Sequence, residues 1–237
     1  MRVFITVDVE EDCPPFAKTC RGINEGMPKL LGLLKEANIP ATFFATAEIA
    51  GKYPDAIDRL VASGHELGCH GNRHIRLDRA DSEAVRHEIA EAAKTLRRFY
   101  KVTSFRAPYL QFPRRHLKIL ADNGFRLDSS EAKHKNPLVR PSLRDGIFCV
   151  PASTTSIVLR MPSLIRNSIL SCLRDPVVLF VHPWEYVNLQ KEHLRFDCKF
   201  RTGDIAFDVL RETICFFKDR GAVFLRMEEL DCREFGR

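Results

Sequence analysis

Four carboxylates follow closely where a short apolar run ends, in Thr6-Val7-Asp8-Val9-Glu10-Glu11-Asp12. If the run is a strand, alternation puts Asp8 and Glu10 on one face, where they can share a metal ion or divide the work of ligand and base. A solvated acidic loop is the competing reading. A second group, Gly68-Cys69-His70-Gly71-Asn72-Arg73-His74, sets two imidazoles four residues apart, which suits one divalent ion where the chain turns. Gly68 and Gly71 would let backbone approach a ligand closely. A carboxylate from the first group would complete a two-histidine, one-carboxylate site with positions left open for water and substrate. Histidines so spaced also occur as ordinary surface residues, and His65, which precedes this group, is expected to face elsewhere.

Three further groups carry polar residues after apolar runs. In Arg106-Ala107-Pro108-Tyr109 the proline fixes the backbone so that the Tyr109 N–H can point inward as an oxyanion donor, while Arg106 can grip a carboxylate in a forked pair. A surface arginine in a proline turn is the alternative. Asp128-Ser129-Ser130 reads as a turn. Residues 177–181 are wholly apolar and deliver His182-Pro183-Trp184-Glu185, with the only tryptophan in the chain. A histidine there serves as a general acid or as a bonded core residue.

These groups need elements to hold them. Short segments at 3–7, 41–45, 66–69, 103–105, 147–150, 177–181 and 222–225, most of them apolar, read as strands. Helical patterns fall between them: around Pro28 to Ala37, at 54–63, from the expected N-cap Asp81 to Phe99, at 114–123, and at 204–219. Val85, Ile89, Ala92, Leu96 and Phe99 make the clearest amphipathic stripe. Such alternation predicts an α/β fold with a mostly parallel sheet or barrel, in which sites gather at the C-terminal ends of the strands. Residues 8–22 read as a polar loop. Residues 131–176, broken by Pro137, Pro141, Pro151 and Pro162, are the least legible stretch. No repeat or linker interrupts the pattern, so one domain over 1–237 is expected.

Composition excludes several classes. A chain of 237 residues with 45% apolar and 29% charged content can bury a substantial core and is not disordered. No run approaches the ~18 apolar residues of a membrane span, and no export signal is read at the N-terminus. The net charge of +6 is modest; it suggests an anionic substrate or surface without requiring one, no nucleic-acid partner is expected, and Arg21, Arg73, Arg106, Arg114 and Arg115 are expected in or near the site-facing loops, where they could attract a phosphate-bearing sugar carrier. Eight cysteines at 13, 20, 69, 149, 172, 198, 215 and 232 include no C-x-x-C pair. They read as reduced thiols of a cytoplasmic protein, with Cys69 notable beside His70.

Taken in order, the five groups resemble the polysaccharide deacetylase family, the NodB-homology domains of carbohydrate esterase family four. Its T-F-D-D motif is matched by Thr6 to Glu10, its H-[ST]-x-x-H by His70 to His74, its R-x-P-Y by Arg106 to Tyr109, and its strand-ending histidine by His182. The stretch from Arg21 to Leu31, followed by Ala41-Thr42-Phe43-Phe44, resembles the branch acting on lipid-linked formamido-arabinose and related amino sugars. The resemblance spans about residues 3–230. It implies a distorted (β/α) barrel of about seven parallel strands, a divalent ion, usually zinc, and hydrolysis of an N-acyl group on an amino sugar, with acetyl or formyl as the acyl group and a phosphate or lipid as carrier.

By the same resemblance, His70 and His74 are metal ligands with Glu10 as the third, and Asp8 is the base that takes a proton from the attacking water. His182 is the acid, kept charged by a carboxylate such as Asp128. Arg106 orients Asp8, the Tyr109 N–H receives the oxyanion, and Trp184 walls the acyl pocket. The family's second aspartate falls on Val9, so Asp8 and Glu10 could exchange roles. Two other readings use the same residues: a non-catalytic carbohydrate-binding or regulatory module on a degenerate deacetylase fold, and a hydrolase of a non-sugar amide such as a cyclic ureide.

Overall fold

The structure, a computed structural model, describes residues 1–231 and 233. Strand β1 (Arg2–Val9) is the axis of the fold. Its partners are β2 (Thr42–Ala45), β8 (Val177–Val181) and β9 (Val223–Phe224), all parallel to it. The sheet continues through β3 (Glu66–Cys69), β4 (Ser104–Phe105), β5 (Leu127–Asp128) and β7 (Ile147–Cys149), also parallel, and ends on β6 (Ser142–Arg144), which alone runs antiparallel. The order is β6-β7-β5-β4-β3-β2-β1-β8, with β9 on β1. Beyond β7, the Ser153 N–H donates to the Val178 carbonyl at 2.8 Å, while Ser153 Oγ accepts from the Val178 N–H at 2.9 Å, so the sheet curls back towards β8. This is the distorted, mostly parallel barrel that the sequence implied.

Alternation along β1 divides the core. Val3, Ile5, Val7 and Val9 pack with helix residues such as Leu30, Leu34, Ile89 and Ile214 in the outer layer. Phe4 joins Phe44, Leu127, Phe148, Val150 and Val178 inside the curl, with Met227 and Leu230 in the same cluster. Thr6, Asp8 and Glu10 continue the inner face from Phe4 towards the C-terminal end of the strand.

The outer layer contains α1 (Met27–Ala37), α3 (Pro54–Ala62), α4 (Ser82–Leu96), α5 (Leu117–Asp122) and α9 (Asp204–Lys218), close to the expected helices. Asp81 caps α4 by accepting the Ala84 N–H at 2.8 Å. Four helices were not legible: α2 (Ala47–Lys52), α6 (Ser156–Leu159), α7 (Ser163–Ser171) and α8 (Phe196–Lys199). The last turn before α1 is also unexpected. Residues Gly22–Gly26 form a π-type turn, and the loop before it is pinned by the buried Asp12 carboxylate, which accepts from Thr19 Oγ1, the Arg21 N–H and the Gly22 N–H at 2.6, 2.8 and 2.9 Å.

That turn is a seat for the segment after β8. A Cβ on Gly26 would stand 1.9 Å from the Pro183 carbonyl oxygen, and one on Gly22 would stand 2.5 Å from the Trp184 nitrogen. Only glycine lets the two backbones come so close. At the opposite end of the barrel, His65 lies buried against Phe43, ring centroids 5.3 Å apart, and away from the candidate site, as expected. Burial, aided by Arg226, lowers it from 6.5 to about 4.

Gly26→Ala should cost about 1–3 kcal/mol in urea unfolding, since the added methyl has nowhere to go. Gly32→Ala, in α1 with no neighbour within 4 Å, should instead gain about 0.5–1 kcal/mol. His65 predicts acid sensitivity. The unfolded chain takes up a proton below 6.5 but the folded chain only near 4, so stability falls as pH drops through that window. Melting temperature in His65→Gln should fall less than in the parent between those pH values.

Candidate active site

The sheet brings the five groups to one end. Asp8 is the last residue but one of β1, Glu10 lies just beyond the strand, His70 follows β3, Arg106 follows β4 and His182 follows β8. Glu10 Oε2 is 3.3 Å from His70 Nε2 and 2.7 Å from His74 Nε2, and ligand atoms of the three residues lie within 4.8 Å of one another. Burial disfavours a charge on Glu10, but the facing rings of His74, His70 and His182 more than offset it and hold the carboxyl well below its usual range.

This donor set fits a divalent cation. His70 Nδ1 is 2.8 Å from the Arg106 carbonyl, which can only accept, so Nδ1 carries a proton and Nε2 is the ring atom turned towards the Glu10 carboxylate. With Nδ1 so engaged, Nε2 is left for a ligand, and a cation between it and the carboxylate would satisfy both. A backbone carbonyl behind a ligand histidine is also the usual means of fixing its tautomer.

Asp8 stands apart from the three. Arg106, fully buried, donates from Nη1 to Asp8 Oδ1 at 2.8 Å and to Thr6 Oγ1 at 2.7 Å, from Nε to the Ser129 carbonyl at 3.2 Å and from Nη2 to Ser129 Oγ at 3.0 Å. Its guanidinium lies 4.4 Å from the Phe44 ring centroid. Position 106 is thus no surface arginine; its bonds fix one rotamer of Asp8.

His182 is held by a different carboxylate from the expected Asp128. Its Nδ1 lies 2.7 Å from Glu185 Oε1, whose other oxygen is 3.2 Å from Arg160 Nε. Burial opposes a charge on His182, but Glu185, Glu10 and Asp8 raise it from 6.5 to about 9. The Trp184 ring stacks on the imidazole at 4.6 Å and 20°. Asp128 instead accepts from the N–H and Oγ of Ser130, whose Oγ accepts the Ala107 N–H at 2.8 Å, and so braces the turn that presents Tyr109. Burial pushes Asp128 up to about 7. The reason is topological: Asp128 ends β5, with three strands between it and β1, whereas Glu185 follows His182 by one tight turn. Glu185 was visible in the sequence as an acid three residues after the histidine; Arg160 and Ser129 carried no local signal.

A cleft of about 520 Å³ opens over these groups, with Tyr109, Phe180 and Trp184 in its walls. The Tyr109 ring packs against His74 at 4.6 Å, and the backbone at Tyr109 and Leu110 is left-handed, with φ of 62° and 51°. The arginines expected to attract an anion are engaged elsewhere. Arg21 pairs with Glu25 at 2.9 Å, Arg73 with Glu88 at 2.8 Å and Arg106 with Asp8, while Arg114 and Arg115 do not line the cleft. Its cationic lining comes from Arg76, Lys135, Arg160 and Arg195. Cys69 is buried and raised by burial to about 12, an inert thiol. The seven described cysteines are unpaired; Cys232 lies outside the described residues.

A profile of the polysaccharide deacetylase family matches residues 2–127, more than half of the chain, and the chain belongs to that family. A peptidoglycan-N-acetylglucosamine deacetylase of Bacillus cereus is 32% identical over 103 residues, 43% of this chain and 38% of that protein. A chitooligosaccharide deacetylase of Sinorhizobium fredii is 35% identical over 85 residues, 35% of this chain and 40% of the relative. The chain thus spans well under half the length of these relatives. In fold it is similar to a family 4 carbohydrate esterase from Streptomyces lividans solved with acetate (TM-score 0.63, 13% identity, 94% of this chain and 91% of the other). It is also similar to a family 4 pseudoenzyme from Bacillus anthracis (TM-score 0.67, 16% identity, 97% and 64%).

Glu185→Gln keeps the shape of the His182 clamp but removes its charge, leaving Arg160 buried beside a neutral amide. It should lower stability by about 3 kcal/mol, the cost of breaking a buried pair. Arg106→Met should cost about 3–5 kcal/mol by the same argument, read by urea titration. A change below 1 kcal/mol in either would mean that the pair is replaced by solvent.

Proposed function

We propose that the chain is a metal-dependent hydrolase that removes an N-acyl group, acetyl or formyl, from an amino sugar. One observation carries this reading: a two-histidine, one-carboxylate cluster shares a cleft with an arginine-held aspartate on one side and a glutamate-held histidine on the other. Family membership and relatives bearing deacetylase names support it. We treat residues 1–237 as one catalytic domain, supported by a single sheet drawing strands from Arg2 to Phe224.

Glu10, His70 and His74 would hold the ion. When bound there, a divalent cation, zinc for preference, supplies Lewis acidity towards the acyl oxygen and the attacking water. Asp8, fixed by Arg106, takes the proton from that water as it adds to the acyl carbon. The Tyr109 N–H is the chain's own donor to the oxyanion, a contribution typically worth ~3 kcal/mol of barrier. The nitrogen must be protonated as the C–N bond breaks, because an amine anion is a prohibitive leaving group. His182 supplies that proton, with Glu185 fixing its ring and charge. Trp184, stacked on His182, walls the acyl pocket. The lipid-linked or nucleotide-linked form of the sugar is kept from the sequence resemblance. No helix among the described residues is long and apolar enough to cross a membrane; we keep the cytoplasmic assignment because unpaired thiols persist in reducing compartments.

A second reading, a non-catalytic carbohydrate-binding or regulatory module, is favoured by Val9 standing where the family has an acid and by the fold likeness to a pseudoenzyme. Calorimetric titration with zinc separates the two. The hydrolase should bind one ion per chain, lose it in His70→Ala, and keep it in Asp8→Asn, which should lower kcat by about 10²–10⁴. Absence of zinc binding, or full activity in His70→Ala, sinks the hydrolase. Acetate or formate release from N-acylated sugars, with no release from a cyclic ureide, would distinguish a sugar substrate from a non-sugar amide.

A further inference from the structure

Two cations stand beside the metal-ligand cluster without a role in the chemistry above. Arg76 follows His74 by two residues. Its guanidinium lies 5.3 Å from the centroid of the Tyr109 ring, the same ring that packs on His74 at 4.6 Å. Lys135, from the turn after β5, has its ammonium held by the carbonyls of Tyr109 and Leu110. Both line the cleft that contains Asp8, Glu10 and His182.

Arg76 is ion-paired with Asp78 yet keeps a free donor edge, and Lys135 keeps its charge. Asp78 takes Arg76 Nε and Nη2 at 2.7 Å each, and Nη2 also meets Gln111, so Nη1 keeps no hydrogen-bond partner among the described residues. Asp78 lines the neighbouring cavity rather than this cleft. Lys135 forms no ion pair among the described residues, and two backbone carbonyls cannot neutralise it. Burial first, and then Arg76, lower its pKa, with Asp78 opposing. An anion at this wall of the cleft would meet the ammonium of Lys135 and the free Nη1 of Arg76 in charge-assisted hydrogen bonds.

We propose that Arg76 and Lys135 form a subsite for an anionic substituent, a carboxylate or a phosphate, carried by the amino-sugar substrate beyond the amide that is cleaved. This assignment rests on the N-deacylase reading and narrows its substrate to acidic amino sugars. Both cations contact Tyr109, whose ring packs on His74, so the anion would enter on the side of the metal ligands. Lys135 has a competing, purely structural role as a pin for the left-handed backbone of Tyr109 and Leu110. A structural pin would serve every substrate equally.

The test is therefore a ratio. Purified zinc-loaded protein is assayed on N-acetylglucosamine, its 6-phosphate and N-acetylmuramic acid, which carries a carboxylate. The parent should show higher kcat/KM for one of the acidic sugars, and which one it prefers identifies the anion. In Lys135→Met the acidic-to-neutral ratio should fall about ten- to a hundredfold, as for loss of one charge-assisted hydrogen bond, and Lys135→Arg should restore most of it. Added salt should lower the parent's ratio as well. An unchanged ratio in Lys135→Met, or a parent with no acidic preference, overturns the subsite. If no sugar is hydrolysed, the deacylase reading fails separately, and calorimetry decides the subsite: the parent should bind one of the two acidic sugars more tightly than N-acetylglucosamine, and Lys135→Met should lose that margin. Absence of the margin overturns it.

Discussion

The buried guanidinium of Arg106 is the contact on which the site depends. An ion pair taken out of water gives little net stability, because desolvation offsets the Coulomb gain. Its value here is positional. One side chain reaches Asp8 and Thr6 on β1 and Ser129 beyond β5, while its own carbonyl meets His70 Nδ1. Thus the same residue sets the rotamer of the candidate base and the tautomer of a candidate ligand. Phe44 beneath the guanidinium closes the inner core and excludes the water that would let Arg106 relax.

The acid side of the cleft has its own frame. Glu185 binds His182 through both ring and backbone and faces Arg160, so the imidazole is fixed by a turn of four residues instead of by a distant strand. That turn rests on the glycine face of residues 22–26, and Asp12 anchors the loop leading into it. Glu10 lies between the two frames, 2.7 Å from His74 and 3.7 Å from His182. The two sides have separate hydrogen-bond frames but share one field, since Glu10 and Asp8 help to keep His182 charged.

Much of this was legible in the sequence, because β1, β3, β8, α4 and α9 have apolar patterns set by their own burial. The short strands β5 and β6, of two and three residues, have no room for a period, and their existence depends on neighbours already in place. Residues 131–176 resisted for a related reason: Pro162 heads α7 instead of ending an element, and Ser153 joins the sheet through its side chain. The residues of the site were visible as types at strand ends. Pairings were not. Asp128 was assigned to His182 by resemblance, although Glu185 stood three positions away, and Lys135 and Arg160 reach the cleft from loops whose path no local pattern dictates.

Val9 shows why a broken motif need not mean a broken site. Strand β1 keeps its pleat through Val9, which pairs in register with Ala45 and packs in the outer core. A side chain at that position faces the helices, so an acid there would be buried in the apolar outer layer. The next inward position is 10, and a glutamate there reaches both histidines. Valine at 9 and glutamate at 10 are then two halves of one solution: the regular strand requires an apolar residue outward, and the carboxylate moves one step along to regain the inner face.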